Sequence, residues 1–318
     1  MKRILSILTL LFIINACDDG DLTIDTIDFS EVAAKKCDVK DIIYKVKDSE
    51  MLILAIPATT FPNDQTPVGT PITLPINATN QVIYRQYSST VSSDNICPTV
   101  PSASPSLTEE WKAIAGTIQI TTTAIYAPTT SNGTKITNYN HYIVFKNVTF
   151  QTPNGTQIYE SYVFGNYTTI ATALAFGFNA EVEKSTCDSD SRIFNFNGSE
   201  ALILDVDNFS TLFENVVTTT PRTAVINSTN KLTYQLYSNQ VTNAYFCAAT
   251  PPASPTLTQE WKAEDGVTAV SGIIEVSTAT FGADFQHTIR FKKVTFKRGN
   301  STFYLGDDVL FGSFITTP

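Results

Sequence analysis

The sequence predicts an all-β protein made of two tandem copies of an antiparallel β-sandwich, immunoglobulin-like or jelly-roll-like, each with one disulfide. Three observations predict it. First, the chain repeats at a period of 150 residues: Cys37 and Cys97 recur as Cys187 and Cys247, and residues 103–113 recur as 253–263 with two differences. Second, apolar and polar residues alternate with period two, the signature of a half-buried strand. Third, turn signals such as Pro62-Asn63-Asp64, Asn132-Gly133 and Pro153-Asn154-Gly155 separate those stretches. A repeat of this length means two domains of ordinary size, because solenoid units are far shorter.

The first element is not part of the fold. Lys2 and Arg3 precede an apolar run over residues 4–14. A helix of that length spans about 16 Å, half a hydrocarbon core. The run therefore reads as a signal peptide, residues 1–16, and not as a membrane span. It ends in Ile14-Asn15-Ala16-Cys17, which resembles the lipobox of bacterial lipoproteins, although Asn15 departs from the small residue usual at its position. The resemblance implies a diacylglycerol on the Cys17 thiol, palmitate-type acylation and a lipid bilayer as the first partner. Two or more acyl chains anchor stably, at about 0.8 kcal/mol per buried methylene. Asp18, Asp19 and Asp21 resemble the acidic run of Bacteroidota-type surface lipoproteins, which implies the cell envelope, at the outer membrane and on its exterior; the alternatives are the inner-membrane retention that such an aspartate signals in enterobacterial lipoproteins and a merely solvated acidic tether. The alternative is an ordinary secretory signal followed by an unpaired cysteine.

Loss of Lys2 and Arg3 moves the formal charge from −9 to −9 − 2 = −11. So acidic a chain is repelled by nucleic acid, which is not expected as a partner. The copies run over 17–168 and 169–318. Four cysteines remain after Cys17, and they permit three connectivities. The duplication selects Cys37–Cys97 and Cys187–Cys247, since each copy must have been able to close its own bond. Closing a 60-residue loop contributes about 4 kcal/mol in the chain-entropy account. No Cys/His spacing suits zinc, and no metal or other cofactor is expected.

Strands are expected at 42–46, 51–56, 82–87, 117–121, 141–145 and 159–164, with equivalents at 201–206, 232–237 and 285–292 in the second copy. Ser106-x-x-Glu109 and Thr256-x-x-Gln259 fit a capping box, so a brief turn is expected before the strand that carries each Trp. The copies differ mainly in loops. Between Trp111 and Gly116 copy one has four residues, and between Trp261 and Gly272 copy two has ten (262–271), whereas copy one has a longer stretch between strands over 127–140. No flexible linker separates the copies, so they are expected to touch.

Glu110-Trp111 and Glu260-Trp261 are the candidate ligand-binding residues. An exposed indole beside a carboxylate suits a sugar: the ring stacks on C–H faces and the carboxylate accepts hydroxyl protons. The competing reading makes each Trp the core plug of its sandwich. Tyr84 and Tyr87, like Tyr234 and Tyr237, lie three apart in a strand and must face opposite sides. His141 and His287 align as partners. His287 shares the parity of Phe285, Ile289 and Phe291, so it points inward, as a core histidine or as a pH-sensitive one. No catalytic residues are identified: nucleophile elbow, zincin helix and phosphate loop are all missing. The expected protein is a non-enzymatic envelope lipoprotein that binds a glycan or protein. A structural subunit of an envelope complex and a glycan-processing hydrolase are the alternatives.

Overall fold

The computed structural model describes residues 26–179, 181–184, 192–248, 250 and 252–318. The expected signal peptide, Cys17 and Cys187 lie outside the described residues. The expected all-β class is what the chain adopts, in two antiparallel sheets.

The first sheet contains β1 (Lys35–Lys36), β2 (Ile42–Lys47), β3 (Glu50–Ala55), β4 (Ile72–Pro75), β5 (Gln81–Tyr87), β6 (Leu107–Pro128), β7 (Thr134–Thr152) and β8 (Gly155–Ile170). Its order is β1-β2-β3-β5-β6-β7-β8, with β4 added against β6. The second contains β9 (Glu183–Lys184), β10 (Arg192–Asn197), β11 (Glu200–Asp205), β12 (Arg222–Val225), β13 (Lys231–Tyr237), β14 (Leu257–Ala263), β15 (Ile273–Phe281), β16 (Asp284–Arg298) and β17 (Ser301–Thr316). It repeats the same order, with β14 and β15 together standing where β6 stands.

Each sheet doubles back to form two layers. Inward residues from its start (Leu52, Leu54, Tyr84) and its end (Ile143, Phe145, Phe164) share one core in copy one. The bend comes from a break in β6. Pairing with β7 slips between Ala113 and Thr117, and Gly116 sits at φ +116° there. A Cβ on Gly116 would come within 2.7 Å of the Val148 backbone, so only glycine lets the strands cross this closely. The six extra residues of copy two (10 − 4) fall at the same bend, between β14 and β15. An insertion is tolerated where the ladder is already interrupted.

The continuous apolar runs of β3 and β11 have a separate cause. Residues 88–106 fold over the outer face of β2, β3 and β5, so those strands are buried on both sides. Tyr44, Met51, Ile53, Tyr87 and Ile96 form this second, smaller cluster. Cys37–Cys97 ties the covering loop to β1, with the Cα atoms 5.2 Å apart. Cys247 is likewise in a disulfide, and its expected partner, Cys187, is outside the described residues. Tyr84 and Tyr87 go to different cores, as do Tyr234 and Tyr237.

Two expectations are corrected. No turn forms at the capping-box sequence: β6 begins at Leu107 and β14 at Leu257, because both Trp-bearing segments pair at once with β5 and β13. And residues 127–140 are not a loop. They continue the β6–β7 hairpin as an arm, with a turn only at 129–133. Nineteen positions separate Thr122 from His141, against nine between their counterparts Thr278 and His287. The ten extra residues (19 − 9) build the arm, and it lies against copy two. Ile136 and Tyr139 are buried in the second core. A slip opposite Ile125/Tyr126 leaves Thr137 unpaired with β6, which brings Ile136 and Tyr139, three apart, onto one face.

Candidate ligand site

The four residues expected to bind a ligand do not share a surface. Trp111 and Trp261 retain 4% and 2% exposure and belong to the two main cores. The Trp111 indole N–H donates to Glu109 at 2.6 Å, and that of Trp261 to Gln259 at 3.2 Å. Adjacent strand residues point to opposite faces, so Glu110 and Glu260 lie on the outside. There Glu110 accepts from Arg85 at 2.7 Å and pairs with Lys112 at 3.1 Å. Glu260 accepts from Gln235 at 2.9 Å and pairs with Lys262 at 3.0 Å. Partial burial pushes both carboxyls up, but these hydrogen bonds outweigh it and both end below the ordinary value. Neither indole face is open to a sugar, so the exposed-platform geometry is replaced by the core-plug geometry.

The histidines are enclosed. His141 Nδ1 lies 2.8 Å from Thr122 Oγ1, and its Nε2 lies 2.9 Å from Thr169 Oγ1, with Phe61 edge-on at 5.1 Å. His287 repeats the pattern with Thr278, Thr316 and Phe213. Burial lowers the His141 pKa to about 4, so the ring is neutral at pH 7. Each ring bolts the central hairpin of its copy to the last strand.

The copies meet through specific contacts. Asp64 accepts from the Asn300 backbone N–H at 3.1 Å and from Ser301 Oγ at 2.7 Å, and Arg298 donates to the Asn63 carbonyl at 2.7 Å. Tyr139 Oη lies 3.2 Å from the same Ser301 hydroxyl, which is fully buried. At the arm's tip, Asp307 N–H donates to the Ser131 carbonyl at 2.9 Å and Tyr304 N–H to Thr134 Oγ1 at 3.0 Å. A Cβ on Gly133 would collide with the Leu305 carbonyl, so the turn sits flush on β17.

Beside this tip a cavity of about 400 Å³ opens. Phe176, Phe178, Leu202, Phe303, Leu305 and Phe311 line its apolar side. The arm supplies its polar rim: Thr129, Thr130, Ser131, Thr134 and Lys135. Comparison of the copies explains the space. In β7–β8, Phe145 pairs with Tyr162 and Val148 with Tyr159. In β16–β17, the equivalent Phe291 pairs with Val309 and Val294 with Gly306. In copy one Tyr162 stacks on Phe145 at 5.9 Å, and Tyr159 packs edge-on against Phe150 and Tyr162. Copy two has lost both rings. The arm's Ser131 lies against Gly306, and the rest of the volume is open. The extended stretch between β8 and β9 borders it, with Phe176 stacked on Tyr234 at 4.2 Å and held at φ +48°. A bulky residue at positive φ is costly and must be imposed by its surroundings. Here the Phe176 and Gly177 amides both donate to the Glu200 carboxylate, at 3.0 and 2.7 Å.

Sequence reasoning missed this site. Its one legible trace was the exchange of Tyr159 and Tyr162 for Gly306 and Val309 in strands that correspond apart from one extra residue, Leu305. Comparison with protein-family models, with curated proteins and with solved structures finds no match.

Proposed function

We propose that the protein is a lipid-anchored, non-catalytic binding module of the cell envelope, tethered through Cys17, and that its ligand enters the cavity between the arm of copy one and the sheet of copy two. The observation that carries the reading is that cavity. Its size falls in the range of small-molecule and side-chain sites, and its place, at a junction of two modules, is where such sites concentrate. Its Phe and Leu lining suits an apolar group more than a bare sugar ring. The fixed arm makes the wall preorganised, so little ordering entropy opposes binding. Absence of catalysis is supported by the histidines, whose ring nitrogens are engaged inside the cores and are not free for proton transfer.

Two measurements test the reading. Protease shaving of intact cells, with mass spectrometry of the N-terminal peptide, should find acylated Cys17 on surface-accessible protein; an unmodified N-terminus would refute the anchor. A thermal-shift and native mass-spectrometry screen of the chain from Asp18 onward should find a ligand that stabilises the wild type but not Val309→Tyr, which restores the ring of copy one. A ligand that binds both forms equally would remove the cavity from the reading.

A further inference from the structure

Resting on the reading of the cavity as the ligand site, we infer that its ligand is an amphipathic anion, a medium-length acyl chain ending in a free carboxylate. The apolar side is built from Phe, Leu and Val side chains and Ala175 of copy two, with Asn179 as its one polar residue and no acidic group among its lining residues. The opposite rim, where the arm lies, presents hydroxyls and one cation. Lys135 is exposed and makes no ion pair among the described residues. Thr130, Ser131 and Thr134 set hydroxyl-bearing side chains beside it on the rim. A carboxylate bound there gains a charge-assisted bond from Lys135 and hydroxyl donors from Thr130 and Thr134, while its chain covers the aromatic and aliphatic wall. A neutral alkane leaves the rim unused, and a polyhydroxylated sugar leaves the apolar side unmatched. The division of labour also explains the duplication. Copy two supplies the slot by losing two tyrosines, copy one supplies the head-group rim through its ten extra residues, and neither copy alone has both.

The test is calorimetric titration of the chain from Asp18 onward with decanoate and with 1-decanol. Decanoate should bind one to one, at least tenfold more tightly than decanol. Lys135→Gln should remove most of that preference by weakening decanoate alone, about tenfold for one charge-assisted bond. Val309→Tyr should abolish both. Leu310→Trp, at a 44%-exposed position on the mouth, should do the same where refilling the core perturbs folding. Equal affinity for acid and alcohol, unchanged by Lys135→Gln, would overturn the anionic head group and leave the cavity as an apolar site. Binding of phosphatidylglycerol vesicles with no decanoate titration would overturn the free-acid assignment. A peptide or glycan that binds wild type but not Val309→Tyr, with decanoate inert, would overturn the ligand class alone. No ligand of any kind would overturn this inference and the proposed function together.

Discussion

Ile136 belongs to copy one by chain and to copy two by packing, and its truncation tests that division. It is 5% exposed and sits in the cluster that holds Trp261, Phe291 and Phe303. Isoleucine-to-alanine changes in closed cores cost about 2–5 kcal/mol, depending on how far the site collapses. The arm's tip is held to β17 by two backbone-donated bonds, so collapse is restricted. We therefore expect Ile136→Ala to cost about 3 kcal/mol. With a urea dependence of about 2 kcal/mol per molar, the midpoint falls by about 1.5 M. The chain offers one reporter per copy, since its two tryptophans lie in different main cores. In a Trp111→Phe background, fluorescence follows Trp261 alone, and its transition should move by that amount. If the Trp261 midpoint stays put while Trp111, read in a Trp261→Phe background, reports the loss, the arm is not part of the second core and the reasoning is refuted.

Three further outcomes are expected. The folded pKa of His141 lies near 4, below its unfolded value of about 6.5, so the unfolded chain takes up the proton first. Its contribution is complete above pH 6.5 and is lost as pH falls toward 4. Between pH 6.5 and 5, above most carboxylate titration, the loss is about 2 kcal/mol; urea midpoints that do not move across this window would contradict it. Asp64→Ala removes the acceptor of two contacts to copy two, one from a buried hydroxyl, and should cost about 1–2 kcal/mol after allowance for partial exposure. Hydrogen exchange at the Asn300 amide should quicken, and unchanged exchange would argue against the latch. Trp111→Ala should lower stability by about 3–5 kcal/mol as a core deletion. Calorimetry showing an intact melting transition would reinstate the indole as a surface group.

Several local features were readable because they depend on neighbours along the chain. The parity of His287 with Phe285, Ile289 and Phe291 gave its direction, and the spacing of Tyr84 and Tyr87 gave opposite faces, because side-chain direction alternates strictly along a strand. The position of each Trp was ambiguous for the same reason: parity says that Glu110 and Trp111 face opposite ways but not which way is in. The arm was misread as a loop because Thr, Asn and Gly over 129–133 signal a turn but not how far the ladder continues on either side of it.

The sequence by itself determined the strand class, the duplication, the pairing of Cys37 with Cys97 and the inward imidazole of His287. These follow from period, spacing and internal repetition, all of them local or self-comparative. Only the tertiary structure decided that ten extra residues reach across to the other copy, that Thr137 slips out of register so that Ile136 and Tyr139 face one core, and that the loss of two rings leaves a cavity beneath the arm. Those depend on which surfaces meet, and burial between distant segments leaves no period of its own in the chain.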